Sequence, residues 1–286
     1  MNNRRSFLKN TGLALAASTL PLPYFAHAKP QKKLGVALLG LGGYATNNLA
    51  PALMQTKHIE LRGIVTGSPE KIPVWQEKYG IKDQNVYSYE TLPEIANNND
   101  IDVVYIVSPT FLHKKFAVMA ANAGKHVFCE KPPAFTAKDG EEIQVVEKEA
   151  NKVLMYGFNH RHHDSIKKMK KLIDEREFGK VLWMRGRYGK SVDEKYYDNW
   201  RAKRKYAGGG ILIDQGIHMI DLFLHFGGDF DVVHASVSNL YWNLNVEDNV
   251  FAILENSKTG LAASMHSTMT QWRHLFSLEV FLEKGC

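Results

Sequence analysis

The stretch that most constrains this chain is LGVALLGLGGYA, Leu34 to Ala45, where an apolar run ends in glycines spaced as GxGxxA. Such a run bounded by glycine reads as a buried strand. Gly40, Gly42 and Ala45 then fill the three slots of the fingerprint that turns a strand into a helix around a dinucleotide pyrophosphate. Gly40 permits the tight turn, Gly42 lets backbone amides reach the anion, and Ala45 allows close helix packing. Gly43 and Tyr44 open the helix, whose unpaired N–H groups favour negative charge.

The next hundred or so residues support a parallel sheet. Short β-branched runs alternate with helical ones: Ile59 to Val65, NVYSY, DVVYIVSP, HVFCEKP and VLMYGFNHR, with helices between them. Thr136 with Asp139 three residues on forms a capping box that starts one of those helices. Beyond this the pattern changes to a long helix, HDSIKKMKKLIDEREFG, a strand, KVLWMRGRYG, a second helix, ILIDQGIHMIDLFLHFG, and then successive strands. The expectation is an α/β Rossmann domain over residues 33–158, followed by an α+β domain over 159–286. The second domain should carry a mostly antiparallel open sheet with one face on its helices and the other free.

The first residues read separately. Arg4, Arg5 and Lys9 precede the uncharged stretch TGLALAASTLPLPYF, and Ala26-His27-Ala28 supplies a small-residue processing site. The stretch is too short and proline-broken to anchor stably in a bilayer. Residues 1–28 resemble a twin-arginine export signal, with two arginines, one variable residue and Phe7-Leu8-Lys9; Asn3 departs from the usual Ser or Thr. That resemblance implies the twin-arginine export machinery as a partner and delivery to the periplasm already folded. The formal net charge is +6, of which Arg4, Arg5 and Lys9 supply three, so the remaining surface is too mildly basic for a nucleic-acid partner. Of the two cysteines, Cys129 ends an apolar run and reads as buried, so no structural disulfide with Cys286 is expected.

Cofactor choice is read at the end of the second strand. Thr66-Gly67-Ser68 stands where an acid would favour a free ribose hydroxyl, and Lys71 comes soon after, so NADP is favoured over NAD, with Glu70 near enough to serve the ribose. Ser108, Pro109 and His113, after the fourth strand, and Glu130, at the end of the fifth, complete the expected cofactor contacts. Lys131, fixed by Pro132 and Pro133, points beyond the carboxyl end of the sheet, where a nicotinamide and its substrate would meet. Asp214 and His218 lie four apart on one helical face, and Gly208 to Gly210 give a flexible approach that admits a ligand closely. The helix also reads more plainly, as a polar face beside an apolar stripe of Ile213, Ile217, Ile220 and Leu224.

In combination, the glycine fingerprint, Glu130-Lys131-Pro132 and GGG followed by Asp214-xxx-His218 resemble the Gfo/Idh/MocA oxidoreductase family over residues 33–286. The resemblance implies hydride transfer between NADP or NAD and a sugar, sugar derivative or cyclitol, and folded export implies that the cofactor is tightly held. It makes Lys131 the catalytic lysine, Asp214 the substrate-binding aspartate and His218 the acid/base. It also implies homo-oligomers, dimers or tetramers, built through the free sheet face. A histidine that titrates near neutrality suits proton transfer, Lys131 suits an alkoxide-like oxygen, and Asp214 suits orienting the histidine or a second hydroxyl. Arg161, Tyr188, Trp200 and Arg201 are candidate sugar-pocket residues. No metal is expected; the NHRHH cluster of His160, His162 and His163 reads as a helix start. Exported glucose-fructose oxidoreductases carry tyrosine where this chain has His218, so their two-sugar reaction is not carried over. Family members continue past LEKGC with further strands, so the chain reads as truncated or shortened. An NAD-dependent glycoside hydrolase of the same family, or a non-catalytic dinucleotide binder, remains the alternative.

Overall fold

The computed structural model describes residues 32–286; the export-signal expectation falls on residues 1–28, outside the described residues. The chain from Leu34 onward forms one compact unit built on two sheets. The first has six parallel strands: β1 (Leu34–Leu39), β2 (Ile59–Val65), β3 (Val86–Tyr87), β4 (Val103–Ile106), β5 (His126–Cys129) and β6 (Leu154–Tyr156). Their order is β3-β2-β1-β4-β5-β6, so the chain reverses its winding direction between β1 and β4 and opens a crevice at their carboxyl ends. Helices Ile72–Tyr79, His113–Asn122 and Ala137–Glu149 cover the two faces. Leu38 and Ile64 are sealed on one side, and Leu39, Ile106 and Phe116 on the other, so these strands carry apolar residues in both directions.

The second sheet has five strands: β7 (Val181–Ser191), β8 (Val232–Ser238), β9 (Asn249–Glu255), β10 (Ala262–Thr268) and β11 (Thr270–Leu282), in the order β11-β7-β10-β9-β8. All neighbours run antiparallel except β7 and β10. The fold class is therefore as expected: a Rossmann-like parallel sheet followed by a mostly antiparallel one. One face packs Met184, Ala263, Met265 and Val280 against helices Asp164–Asp174 and Ile217–Gly227. The opposite face leaves Phe251 and Ile253 about half exposed.

Two local details correct the sequence reading. The glycine fingerprint leads into a π-helical turn, Ala45–Leu49, followed by a short α-helix, Ala50–Leu53. In the helix after the triple glycine, the buried apolar stripe is Met219, Leu222, Phe223 and Phe226, whereas Leu224 is exposed. His218 and Asp221 are buried as well, so the polar face is turned inward. The Thr136 cap forms as expected, its hydroxyl oxygen accepting the Asp139 amide at 3.1 Å.

Glu147, on the inner side of helix Ala137–Glu149, is buried with both carboxylate oxygens lacking a hydrogen-bond partner among the described residues. Burial pushes its carboxyl up to about 7, opposed by the charge of Lys152. Between the ordinary glutamate range and that value the folded protein keeps a proton that the unfolded chain has lost. Stability contributed by this group is therefore full at acid pH and is lost as pH rises through about 7. Glu147→Gln is expected to raise Tm more at pH 8 than at pH 5; an equal shift at both would show that Glu147 does not titrate in this way.

Candidate active site

A cleft of about 530 Å³ runs along the carboxyl ends of the parallel strands and on to β7 and the helix that begins at Ile217. Its first end is made by the β1–helix turn. Gly40 adopts φ 94°, a conformation that disfavours other residues, and a Cβ there would come within 3.0 Å of the Val107 carbonyl oxygen. At Gly42 a Cβ would meet nothing within 4 Å, so this backbone faces open space where a phosphate can approach it. Gly43, Tyr44, Ala45, Thr66, Ser68 and Lys71 line the same end. The Thr66 hydroxyl accepts the Ser68 amide at 3.0 Å and caps the turn after β2. Lys71 Nζ reaches across to donate to the Leu41 carbonyl at 3.0 Å. Glycine turn, neutral donors and lysine together fit a nicotinamide dinucleotide laid over the switch point. Glu70 is absent from the cleft lining.

Further along stand Ser108, Pro109, Glu130 and Lys131. Glu130 sits against Gly157, where a Cβ would lie 2.8 Å from a carboxylate oxygen, and accepts a hydrogen bond from Tyr105 at 2.8 Å. Burial raises its carboxyl, while the Tyr105 bond and the charge of Lys131 pull the other way. His113 is a correction. It does not line the cleft but is buried beneath it, with Nδ1 2.8 Å from the Pro132 carbonyl and Nε2 2.9 Å from the Ser108 carbonyl. It ties together the two turns that carry Ser108 and Lys131.

At the far end Lys131, Asp214 and His218 come together from the parallel sheet and the inward-turned helix face. Lys131 Nζ lies 3.2 Å from Asp214 Oδ1 and also donates to the Asp214 carbonyl. Lys190 Nζ donates to Asp214 Oδ2 at 2.8 Å, and Arg201 Nε stands 3.4 Å from Oδ1. Burial opposes ionisation of Asp214, but Lys131, Lys190, Arg201 and the Lys190 hydrogen bond outweigh it and hold the carboxyl well below its ordinary range. Both carboxylate oxygens thus serve cations, and orienting His218 is not their role.

His218 also departs from the expectation of titration near neutrality. Burial, followed by the charges of Lys131 and His160, pushes it down to about 3, against a smaller upward pull from Asp214. It is a neutral imidazole throughout the physiological range, and its Nδ1 has no partner among the described residues. His160 lies beside it with ring centroids 4.2 Å apart and is itself pushed down to about 4, chiefly by burial.

Tyr188, Trp200 and Arg201 line the cleft. Arg161 does not: its guanidinium makes a two-pronged pair with buried Asp221, at 2.8 and 2.6 Å, which fixes the entry to helix Asp164–Asp174 against the helix that bears His218. The triple glycine is likewise structural. A Cβ on Gly210 would lie 1.9 Å from the Glu247 carbonyl oxygen, and the Glu247 carboxylate accepts the Gly210 amide at 2.7 Å and the Leu212 amide at 3.2 Å. These glycines admit the neighbouring chain segment, where the sequence reading had a ligand.

Asn159, Lys190 and Gln215 line the site without having been singled out, and so does His160, which the sequence suggested only as part of a helix start. Asn159 and His160 come shortly after β6, so the strand-end rule that selected Lys131 also points to them. Nothing in the linear text marks Lys190.

Residues 34–158 match the family model described as an oxidoreductase family with an NAD-binding Rossmann fold, and residues 166–286 match the GFO/IDH/MocA C-terminal domain. The chain is 32% identical over 217 residues to levoglucosan dehydrogenase of Pseudarthrobacter phenanthrenivorans, covering 72% of this chain and 54% of that protein. With 1,5-anhydro-D-fructose reductase of Ensifer adhaerens it shares 30% identity, over 74% of this chain and 62% of that protein. The chain therefore spans little more than half the length of these curated relatives. Among solved structures, aldose-aldose oxidoreductase from Caulobacter crescentus complexed with glycerol superposes with a TM-score of 0.80 at 32% identity, covering 88% of this chain and 82% of that one.

Proposed function

The chain belongs to the Gfo/Idh/MocA oxidoreductase family, and from that premise we propose that it is an NAD(P)-dependent oxidoreductase acting on a sugar, sugar derivative or cyclitol. The observation that carries the reading is the continuity of one cleft from the Gly40–Ala45 cradle to Lys131, Asp214 and His218. The chemistry supplied by a bound nicotinamide is acceptance or donation of a hydride at a carbinol carbon. The protein's part is to hold the substrate and manage the proton. His218 is the imidazole assigned the hydroxyl proton; with protein groups alone around it, burial and the Lys131 charge make it a weak base and its protonated form a strong acid. Lys131, held by Asp214, donates to the oxygen as negative charge grows on it. Thr66, Ser68 and Lys71 at the ribose end favour NADP; the choice rests on neutral donors and one lysine in place of an acid.

On this reading Arg4, Arg5 and Phe7-Leu8-Lys9 direct the folded protein to the periplasm through the twin-arginine machinery, with the nucleotide loaded beforehand. A compartment without a free nucleotide supply then calls for slow cofactor release and chemistry that restores the cofactor in place. Oxidising one substrate and reducing another would do so. Assembly into a dimer or tetramer through the open face that bears Phe251 and Ile253 completes the reading.

Protein purified from the periplasmic fraction is expected to release NADP or NAD on denaturation and to change the redox state of that nucleotide when sugars or cyclitols are added. Nucleotide-free protein that also fails to bind added NADPH or NADH would sink the dinucleotide reading. A bound nucleotide that none of these substrates oxidises or reduces would sink hydride transfer. Undiminished periplasmic recovery of a variant with Arg4→Lys and Arg5→Lys would remove the export route.

A further inference from the structure

The charges at the far end of the cleft do not balance. Three cations, Lys131, Lys190 and Arg201, converge on the single carboxylate of Asp214, whose side chain is only 9% exposed. The other acid in the lining, Glu130, accepts from the neutral Tyr105 hydroxyl and faces Lys131 and Arg201 as well, so three cations meet two carboxylates. His160 and His218 contribute no positive charge at neutral pH, but they offer no negative charge either. A surplus of cations therefore faces a partly dehydrated space, an arrangement that costs free energy until an anion enters.

Arg201 is placed to receive one. Its guanidinium lies over the Trp200 ring at 4.3 Å, and its pairing with Asp214 uses Nε at 3.4 Å. Among the described residues its two terminal amino groups donate to no protein acceptor, so their N–H edge is left to the cleft that it lines. A planar pair of N–H donors matches a carboxylate or phosphate in two-pronged fashion. Lys190, beside Asp214 and 5.2 Å from the centre of the Tyr196 ring, adds a second cation within the same wall.

We infer that the substrate is a sugar carrying an anionic group, a carboxylate or a phosphate, received by Arg201 with Lys190 beside it. The inference rests on the oxidoreductase reading for the sugar, and on the cation surplus for the anion. Arg201 and Lys190 are specificity residues, distinct from the Lys131 and His218 pair that handles the reacting oxygen.

The test is calorimetric titration of the nucleotide-loaded protein with matched sugars: D-glucose against D-glucuronate, D-galactose against D-galacturonate, and D-glucose against D-glucose 6-phosphate. At least one acidic sugar should bind about tenfold or more tightly than its neutral partner, with an advantage that shrinks as salt approaches ~0.5 M. The uronates and the phosphate distinguish the two anions. Arg201→Gln should reduce that advantage by about tenfold, and Arg201→Lys should recover part of it. Neutral and acidic partners binding within about threefold of one another would overturn the inference. So would an Arg201→Gln protein, folded by circular dichroism, that keeps the acidic preference and loses nucleotide affinity instead, since the arginine would then belong to the cofactor. Nucleotide reduction in the same samples reports on the oxidoreductase reading by itself: acidic preference without turnover would leave this inference standing and refute the other.

Discussion

Lys131→Met protein is expected to lose roughly 10²–10⁴-fold in kcat/KM for hydride transfer while keeping its fold and its nucleotide. An ammonium has three donors. In the structure the Asp214 carboxylate and the Asp214 carbonyl take two of them, leaving one for a substrate oxygen. Methionine fills much of the same volume but donates nothing, so the change removes a charge-assisted hydrogen bond whose strength grows as the oxygen becomes anionic. The loss should fall mainly on kcat, because the interaction is worth more in the transition state than in the bound substrate. Asp214 remains neutralised by Lys190 and Arg201, which separates a chemical defect from collapse of the site. Steady-state kinetics with Tm and bound-nucleotide content as controls give the answer. A loss of about fivefold or less would remove Lys131 from the chemistry.

Gly210→Ala should produce the largest structural effect of any single methyl group at this site. The added Cβ would sit 1.9 Å from the Glu247 carbonyl oxygen and 2.9 Å from the Glu247 carbonyl carbon and nitrogen, so backbone must move. That movement would also disturb the amide contacts of Gly210 and Leu212 with the Glu247 carboxylate and that of Ile211 with the Glu247 carbonyl. Overpacking against backbone costs about 3 kcal/mol, a fall in Tm of roughly 6–12 °C for a chain of this size. Asp214 and His218 lie within the next two or so turns, so the same displacement should lower kcat by about 10²-fold in the protein that remains folded. Thermal unfolding and kcat measured together test the idea. A variant as stable and as active as the parent would show that this contact is slack.

The run of parallel strands, the glycine turn and the identity of Lys131, Asp214 and His218 were legible in the sequence because each is local or sits at a strand end. Ile59–Val65 needed only a run of β-branched residues bounded by a turn. The errors came from contacts between distant segments. Arg161 reads as a binding residue until Asp221, sixty residues on, is seen to occupy its guanidinium. His113 reads as a cofactor contact until both ring nitrogens are found against carbonyls. The state of His218 depends on burial and on Lys131 and His160, none of which its own helix records. Lys190 lies next to the last residue of β7, after a run of arginines and tyrosine, and only its pairing across 24 residues with Asp214 reveals it. Periodicity also chose the wrong stripe on that helix, since isoleucine and leucine outscore the histidine and aspartate that are in fact buried.

The Lys131–Asp214–Lys190 contact bears on how such proteins diversify. Lys131 comes from the end of the first sheet, Lys190 from the second, and Asp214 from the helix between β7 and β8. Neither sheet carries a complete site, so recombination that replaces everything after β6 can import a new substrate wall while inheriting nucleotide handling intact. It does so only if the incoming segment brings a carboxylate to meet the resident lysine. A chimera with an otherwise compatible second half but Asn in place of Asp214 would leave Lys131, Lys190 and Arg201 with Glu130 alone as counter-charge. The aspartate therefore acts as a compatibility test on such an exchange.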